Sequence, residues 1–320
     1  MRSIQTSFAF PLSSVKPLGP LAGYRKICLD LTQEALKKGS RRRERSPVSG
    51  LPLEPCGSVE GLSYGRCPES GSLFLMELPD SQEWARLLAE VLRVRHSPET
   101  FHRDLAQSRA DNVYTPKLEW IRETLRFQNI HRPRLLEVIT PPSDFTRFLG
   151  ESGLFSSVIT ADEMALSAAP PGNPQESAHA AILLESLDRV DDPAALLKGV
   201  SGRLGRGGLL FVTALVASGF DMAVLGFRSL YLYPPDRANC FTLKGLSRLL
   251  EKSGFTLLEV STPGVLDVQI VWAHLEQDPA IPLSDFERRL LEADPQTREA
   301  LQTFLQQQGL SSFARIVARK

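Results

Sequence analysis

Three carboxylates stand at the ends of apolar runs. Glu137 follows Leu135-Leu136, Asp162 follows Val158 to Ala161, and Glu185 follows Ala180 to Leu184. Short apolar runs bounded by polar residues read as buried strands, so each acid sits near a strand end. Asp188 and Arg189 come just after the third run. Tyr231, Asp236, Arg237 and Asn239 cluster in the loop that holds Pro234-Pro235. Such groups orient a ligand, balance charge or move a proton, and Asp188, Arg189 and Arg237 are the catalytic candidates. Motifs for covalent or metal-assisted catalysis are missing: there is no G-x-S-x-G elbow, no H-E-x-x-H pair and no G-x-x-x-x-G-K-(S/T) loop. Ile139 to Asp144 also lacks the glycine fingerprint of a nicotinamide-dependent enzyme. His96, His102 and His131 share no ligand spacing, and no metal site is expected.

The elements that must hold these residues are clearest from Ala180 to Phe220. The apolar run Ala180–Leu184 predicts a strand, and Asp191-Asp192-Pro193 then supplies a helix start. Leu196, Leu197, Val200 and Leu204 follow at helical spacing, a stripe suited to lie on a sheet. Gly205-Arg206-Gly207-Gly208 is expected to end that helix through a glycine cap, and Leu209 to Leu215 is the next strand. Strand, helix and strand in this order demand parallel pairing, which makes the chain α/β. Further along, Thr242 is placed to cap a helix faced by Leu246, Leu249 and Leu250 and stopped by Gly254. Phe255 to Val260 reads as a strand, and residues 283–308 as two helices.

The run LESLDRVDDPAALLKGVSGRLGRGGLLFVT resembles the second half of class I S-adenosylmethionine-dependent methyltransferases, where an LEH-type turn and a DP pair precede a helix and a PGG turn. Ser218 to Gly226, Tyr233 to Thr242, the text STPGVLDVQIV and the ending SSFARIVARK are similar to a bacterial subgroup of that family. Cys56 and Cys67 each keep one half of a C-x-x-C pair, similar to the zinc-ribbon-like segment that precedes the catalytic domain in this subgroup, but two thiolates do not make a tetrahedral site. The resemblance implies a Rossmann-like sandwich: a seven-stranded, mostly parallel sheet with an antiparallel C-terminal strand, plus an N-terminal helical extension. It implies S-adenosylmethionine as cofactor, held by Glu137, Ile139, Ser143, Asp162, Glu185, Ser186 and Leu187. The sequence departs from the family at the cofactor loop, where Ile139, Pro141 and Ser143 occupy the three glycine positions. It departs again between Asp162 and Ala180, where the third strand unit is cut short.

The expected organisation is a low-order extension over 1–50 with a short helix from Leu29 to Lys38, a degenerate ribbon over 51–78, a helical cover over 79–130 and a methyltransferase-like domain over 131–320. That domain carries a helical insertion at about 265–308. Lys and Arg total 37, as do Asp and Glu, so the overall charge gives no case for nucleic acid or an anionic membrane. The run Arg41-Arg42-Arg43-Glu44-Arg45 reads as a solvated linker. Apolar runs stay short of the ~20 residues that span a bilayer, and four cysteines make no disulfide framework. A cytoplasmic protein is the expectation. The implied function is methyl transfer to a small-molecule or sugar-like acceptor. The alternative is a catalytically inactive methyltransferase fold kept as a binding or regulatory partner, and the oligomeric state is open.

Overall fold

The computed structural model describes residues 10–95, 105–139, 142–168 and 177–320. His96, His102, Pro141 and most of the Ala/Pro/Gly-rich stretch after Leu166 lie outside the described residues. The strands, in chain order, begin with β1 (Ser40–Arg42), β2 (Glu54–Val59), β3 (Leu62–Arg66), β4 (Leu73–Leu75) and β5 (Glu77–Pro79). Then come β6 (Arg134–Val138), β7 (Ser157–Ala161), β8 (Ala178–Leu184) and β9 (Leu204–Leu215). The last are β10 (Asn239–Cys240), β11 (Thr256–Ser261) and β12 (Phe313–Arg319).

Six of these strands form the main sheet, in the order β11-β12-β9-β8-β6-β7. The pairs β6–β7, β6–β8 and β8–β9 are parallel. β12 inserts between β9 and β11, antiparallel to both, with Val317 opposite Phe211 and Ile316 opposite Val260. The chain therefore adopts the expected α/β architecture with its antiparallel C-terminal strand. The expected seventh strand is not among the described residues. After β7 comes a helix over Glu163–Ala168, and among the described residues β7 is the outermost strand on that side of the sheet.

Both faces of the sheet are covered, as parallel strands require. One face carries Leu136, Leu183, Leu210 and Ile316 against the helices Pro193–Arg203 and Leu243–Lys252. The other carries Leu135, Ile182, Phe211 and Val317 against the helices Thr115–Phe127 and Asp144–Glu151. Trp120 anchors this second layer, its ring edge-on to Phe211 at 5.2 Å between centroids. Full burial of each such side chain contributes about 1.5–3 kcal/mol.

Several local expectations are corrected. Residues 18–38 are a 21-residue helix, Leu18–Lys38, burying Leu21, Tyr24, Cys28 and Leu29. Proline and glycine at Gly19, Pro20 and Gly23 disguise its first turns, where a missing N–H costs nothing. The arginine run is not a linker, because Arg43 is 7% exposed and donates to Asn239 Oδ1 at 2.7 Å and to the Asp191 carbonyl at 2.6 Å. The helix Ser81–Arg95 is capped by Asp80, which accepts from the N–H groups of Gln82 and Glu83, rather than by Ser81. The helix Pro193–Arg203 starts as expected, with Asp192 accepting from Ala195 N–H, but ends on an extended Leu204. The glycines from Gly205 to Gly208 already belong to β9.

Residues 51–78 form an antiparallel meander, β2-β3-β4, to which β10 adds a fourth strand. Cys56 and Cys67 are free thiols within it. Among the described residues no group of three or more His, Cys, Asp or Glu is placed to hold a metal ion, and no helix is long and apolar enough to cross a membrane.

Candidate active site at the strand tips

Glu137 lies one residue before the end of β6, 1% exposed, and neither carboxylate oxygen has a hydrogen-bond partner. Burial pushes its carboxyl above the usual range, opposed by the Thr146 hydroxyl and the Lys117 ammonium. Ile139, at the first glycine position of the family loop, donates its N–H to the Ala161 carbonyl at 2.9 Å and so prolongs the β6–β7 ladder. Ser143 is the N-cap of helix Asp144–Glu151, in a reciprocal capping box with Thr146. Asp162 caps the helix Glu163–Ala168 through Oδ1, which accepts from Ala165 N–H at 2.8 Å.

The tip of β8 is more tightly built. Glu185 holds a left-handed backbone (φ 59°), a conformation that costs a β-carbon residue about 1–2 kcal/mol. Its N–H donates to the Thr213 carbonyl at 2.8 Å, and its carboxylate pairs with Arg237. Burial works against the Glu185 charge, yet Arg237, Lys117 and Lys16 hold the carboxyl well below the usual range. Arg237 Nε also lies 3.6 Å from Asp188 Oδ2, and Asp188 accepts from Leu215 N–H at 3.1 Å. Asp188 is fully buried with its Oδ1 unpartnered, and burial pushes it up to about 8. Ser186 and Leu187 are both buried, the Ser186 hydroxyl donating to the Val138 carbonyl at 3.3 Å.

Arg189 does not join this group. It turns the other way, with Nε 2.9 Å from Glu163 Oε1 in a pair that is 8% exposed on both sides. Its backbone carbonyl accepts from the Trp84 indole at 3.2 Å, so the whole residue is tied into packing. Asn239 is structural as well: its amide donates to the carbonyls of Leu187 and Val190 and clamps the turn between them. Asp236 pairs with Arg95, and Tyr231 packs under Lys16, whose ammonium is 4.6 Å from the ring centre.

A cavity of about 260 Å³ opens beside Glu185 and Arg237. Its lining includes Lys16, Lys117 and Arg315, three cations that sequence reasoning did not single out. It does not include Glu137, Ile139, Ser143 or Asp162. Lys117 links the two regions electrostatically, because its charge lowers the carboxyl pKa of both Glu137 and Glu185. One signal for Arg315 was present in the sequence: a lone charge inside the apolar alternation FARIVAR. Lys117, beside Leu118 at the start of an amphipathic helix, gave none.

No family model and no curated protein sequence matches the chain. Solved structures are similar to it. The 1,6-didemethyltoxoflavin-N1-methyltransferase of Burkholderia thailandensis, solved with 1,6-didemethyltoxoflavin and S-adenosylhomocysteine, is 11% identical. The match covers 83% of this chain and 99% of that one, with a TM-score of 0.44. An S-adenosylmethionine-dependent methyltransferase from Mesorhizobium loti is 18% identical over 66% of this chain and 99% of its own, with a TM-score of 0.39. At these identities and scores the likeness carries no assignment of substrate or activity.

Proposed function

We propose that the chain binds S-adenosylmethionine across the tips of β6, β7 and β8 and passes its methyl group to a small molecule in the cavity beside Glu185. One observation carries the reading. Glu137, Asp162 and Glu185 sit at the carboxyl ends of three strands that are adjacent in the sheet, the end at which open α/β sheets bind ligands. The donor set suits the cofactor, since ribose hydroxyls and an ammonium group both call for acceptors and negative charge. Glu137 has two such oxygens without partners.

S-adenosylmethionine, when bound, supplies a sulfonium-activated methyl group for in-line displacement. The chain's own residues have only to bind, orient and exclude water. Glu137 and Asp162 are the residues assigned to the nucleoside. Glu185, fixed by Arg237 and by its backbone bond to Thr213, faces the acceptor cavity. No covalent nucleophile is called for.

The test is thermal unfolding with S-adenosylhomocysteine. Ligand at a hundred times its Kd stabilises by about 2.7 kcal/mol, and a clear rise in Tm is expected. Glu137→Gln is expected to reduce that rise. An unchanged Tm at millimolar ligand overturns the reading.

A second reading has its own observation. Ser143 and Asp162 already spend side-chain oxygens on helix caps, and Ile139 N–H is committed to Ala161. These bonds favour a methyltransferase fold that holds a cavity ligand as a binding or regulatory partner and transfers nothing. Cavity-ligand binding without any S-adenosylhomocysteine response selects it.

A further inference from the structure

The cavity beside Glu185 is unbalanced in charge. Five cations line it (Lys16, Arg109, Lys117, Arg237 and Arg315) against three carboxylates, Asp111, Glu185 and Asp267. Arg237 is committed to Glu185. Asp267 is saturated by neutral donors, namely the Gln302 amide, the Ser311 hydroxyl and the Ser312 N–H. Lys16, Lys117 and Arg315 form no ion pair with any described residue.

Arg315 is the sharpest case. It is 5% exposed on β12, between β11 and β9, and its Nε and Nη1 have no hydrogen-bond partner among the described residues. Its guanidinium lies 5.3 Å from the Trp120 ring centre and 5.8 Å from that of Phe313. The Glu259 charge reaches Arg315, yet no described carboxylate pairs with it directly, and a buried guanidinium with open donors is shaped for a carboxylate or phosphate. Lys117 stands nearby, 9% exposed and 5.9 Å from the same Phe313 ring. Burial pushes Lys117 down to about 8, Arg315 down to about 10 and Lys16 below the usual lysine range. Apart from Asn112 and Ser312 the remaining lining is mostly apolar or aromatic and includes Tyr231, Phe313, Leu266 and Ile270.

We infer that this cavity binds a small organic anion, a carboxylate or phosphate carried on an apolar body. Arg315 and Lys117 meet its charge, and Tyr231 and Phe313 meet its body. Its role as methyl acceptor rests on the function proposed above; its binding does not.

The full chain is titrated at pH 7 with benzoate, phenyl phosphate and uncharged benzamide, read by calorimetry and by tryptophan fluorescence. One of the two anions is expected to bind at one site per chain, at least about tenfold tighter than benzamide, and the tighter of the two identifies the headgroup. Lys117→Met and Arg315→Met are each expected to weaken the anion about tenfold or more. Arg315→Lys, which keeps the charge but not the fork, is expected to fall between. Should Arg315→Met fail to fold by circular dichroism, Arg109→Gln, at the half-buried end of the helical turn Ala106–Arg109, replaces it. Benzamide binding as tightly as the anions, anions unaffected by the substitutions, or no anion binding at all overturns the inference. Because no S-adenosylmethionine is present, a chain that binds benzoate but not the cofactor sinks the methyltransferase reading alone. A chain that binds only the cofactor sinks this inference alone.

Discussion

Arg237 holds Glu185 across the loop that follows β8, and its guanidinium Nε lies 3.6 Å from the fully buried Asp188. One arginine thus bridges two acids after β8, Glu185 on the cavity wall and Asp188 buried behind it. Arg237→Met is expected to lower stability by about 2 kcal/mol, the scale of a lost charge-assisted hydrogen bond. Adding Glu185→Gln should recover part of that loss, because the second substitution removes the charge left without its partner. Urea unfolding of the four proteins in the double-mutant cycle gives the coupling directly.

Asp188 gives stability a pH dependence of definite sign. Burial raises its folded-state pKa to about 8, above its value in the unfolded chain. The folded protein therefore binds a proton that the unfolded chain releases. This contribution is full below the unfolded pKa and is lost as pH rises toward 8, at about 1.4 kcal/mol per pH unit. Asp188→Asn keeps an oxygen for Leu215 N–H and removes the titration. The variant is expected to show a flatter decline in unfolding free energy between pH 5 and 8, measured by urea titration at each pH.

Arg189 is tied into packing, by its ion pair with Glu163 and by its carbonyl bond from Trp84. Its pair with Glu163 is buried on both sides, so Arg189→Met is expected to cost about 3–5 kcal/mol by stranding the glutamate. Replacing both partners by Met should be far milder. Calorimetric affinity for S-adenosylhomocysteine in any variant that folds should match the parent. A specific loss of affinity at full stability would contradict the assignment.

Gly199 is fixed by contact rather than by backbone conformation. A Cβ there would fall 2.1 Å from the Leu166 carbonyl oxygen, where helix Pro193–Arg203 crosses the short helix after β7. Gly199→Ala is expected to push the helices apart and to cost about 1–3 kcal/mol in chemical denaturation. Gly207→Ala, where nothing lies within contact distance of the new Cβ but φ is +76°, separates strain from crowding.

Much of the sheet was legible because its strands are apolar runs with polar ends, and because Asp192 and Thr242 announce their helices as caps. The helix Leu18–Lys38 was legible only in its second half, since Gly and Pro in its first turns mask a burial pattern that includes Tyr24 and Cys28. Of the candidate residues, Glu185, Asp188 and Arg237 are named by the sequence and are neighbours in space. The cationic side of the cavity is not named by it. Lys16, Lys117 and Arg315 come from the N-terminal segment, a helix and the last strand, and only the closed fold brings them together. The partner of Arg189 is hidden as well, because a charge beside an acidic turn looks the same in sequence whether it faces a cleft or a buried glutamate.

Isothermal titration of the full chain with S-adenosylmethionine tests the central claim most directly. The account predicts one site per chain with a Kd on the order of micromolar, weakened in Glu137→Gln. Absence of heat with millimolar cofactor, from a chain that circular dichroism reports as folded, would contradict it.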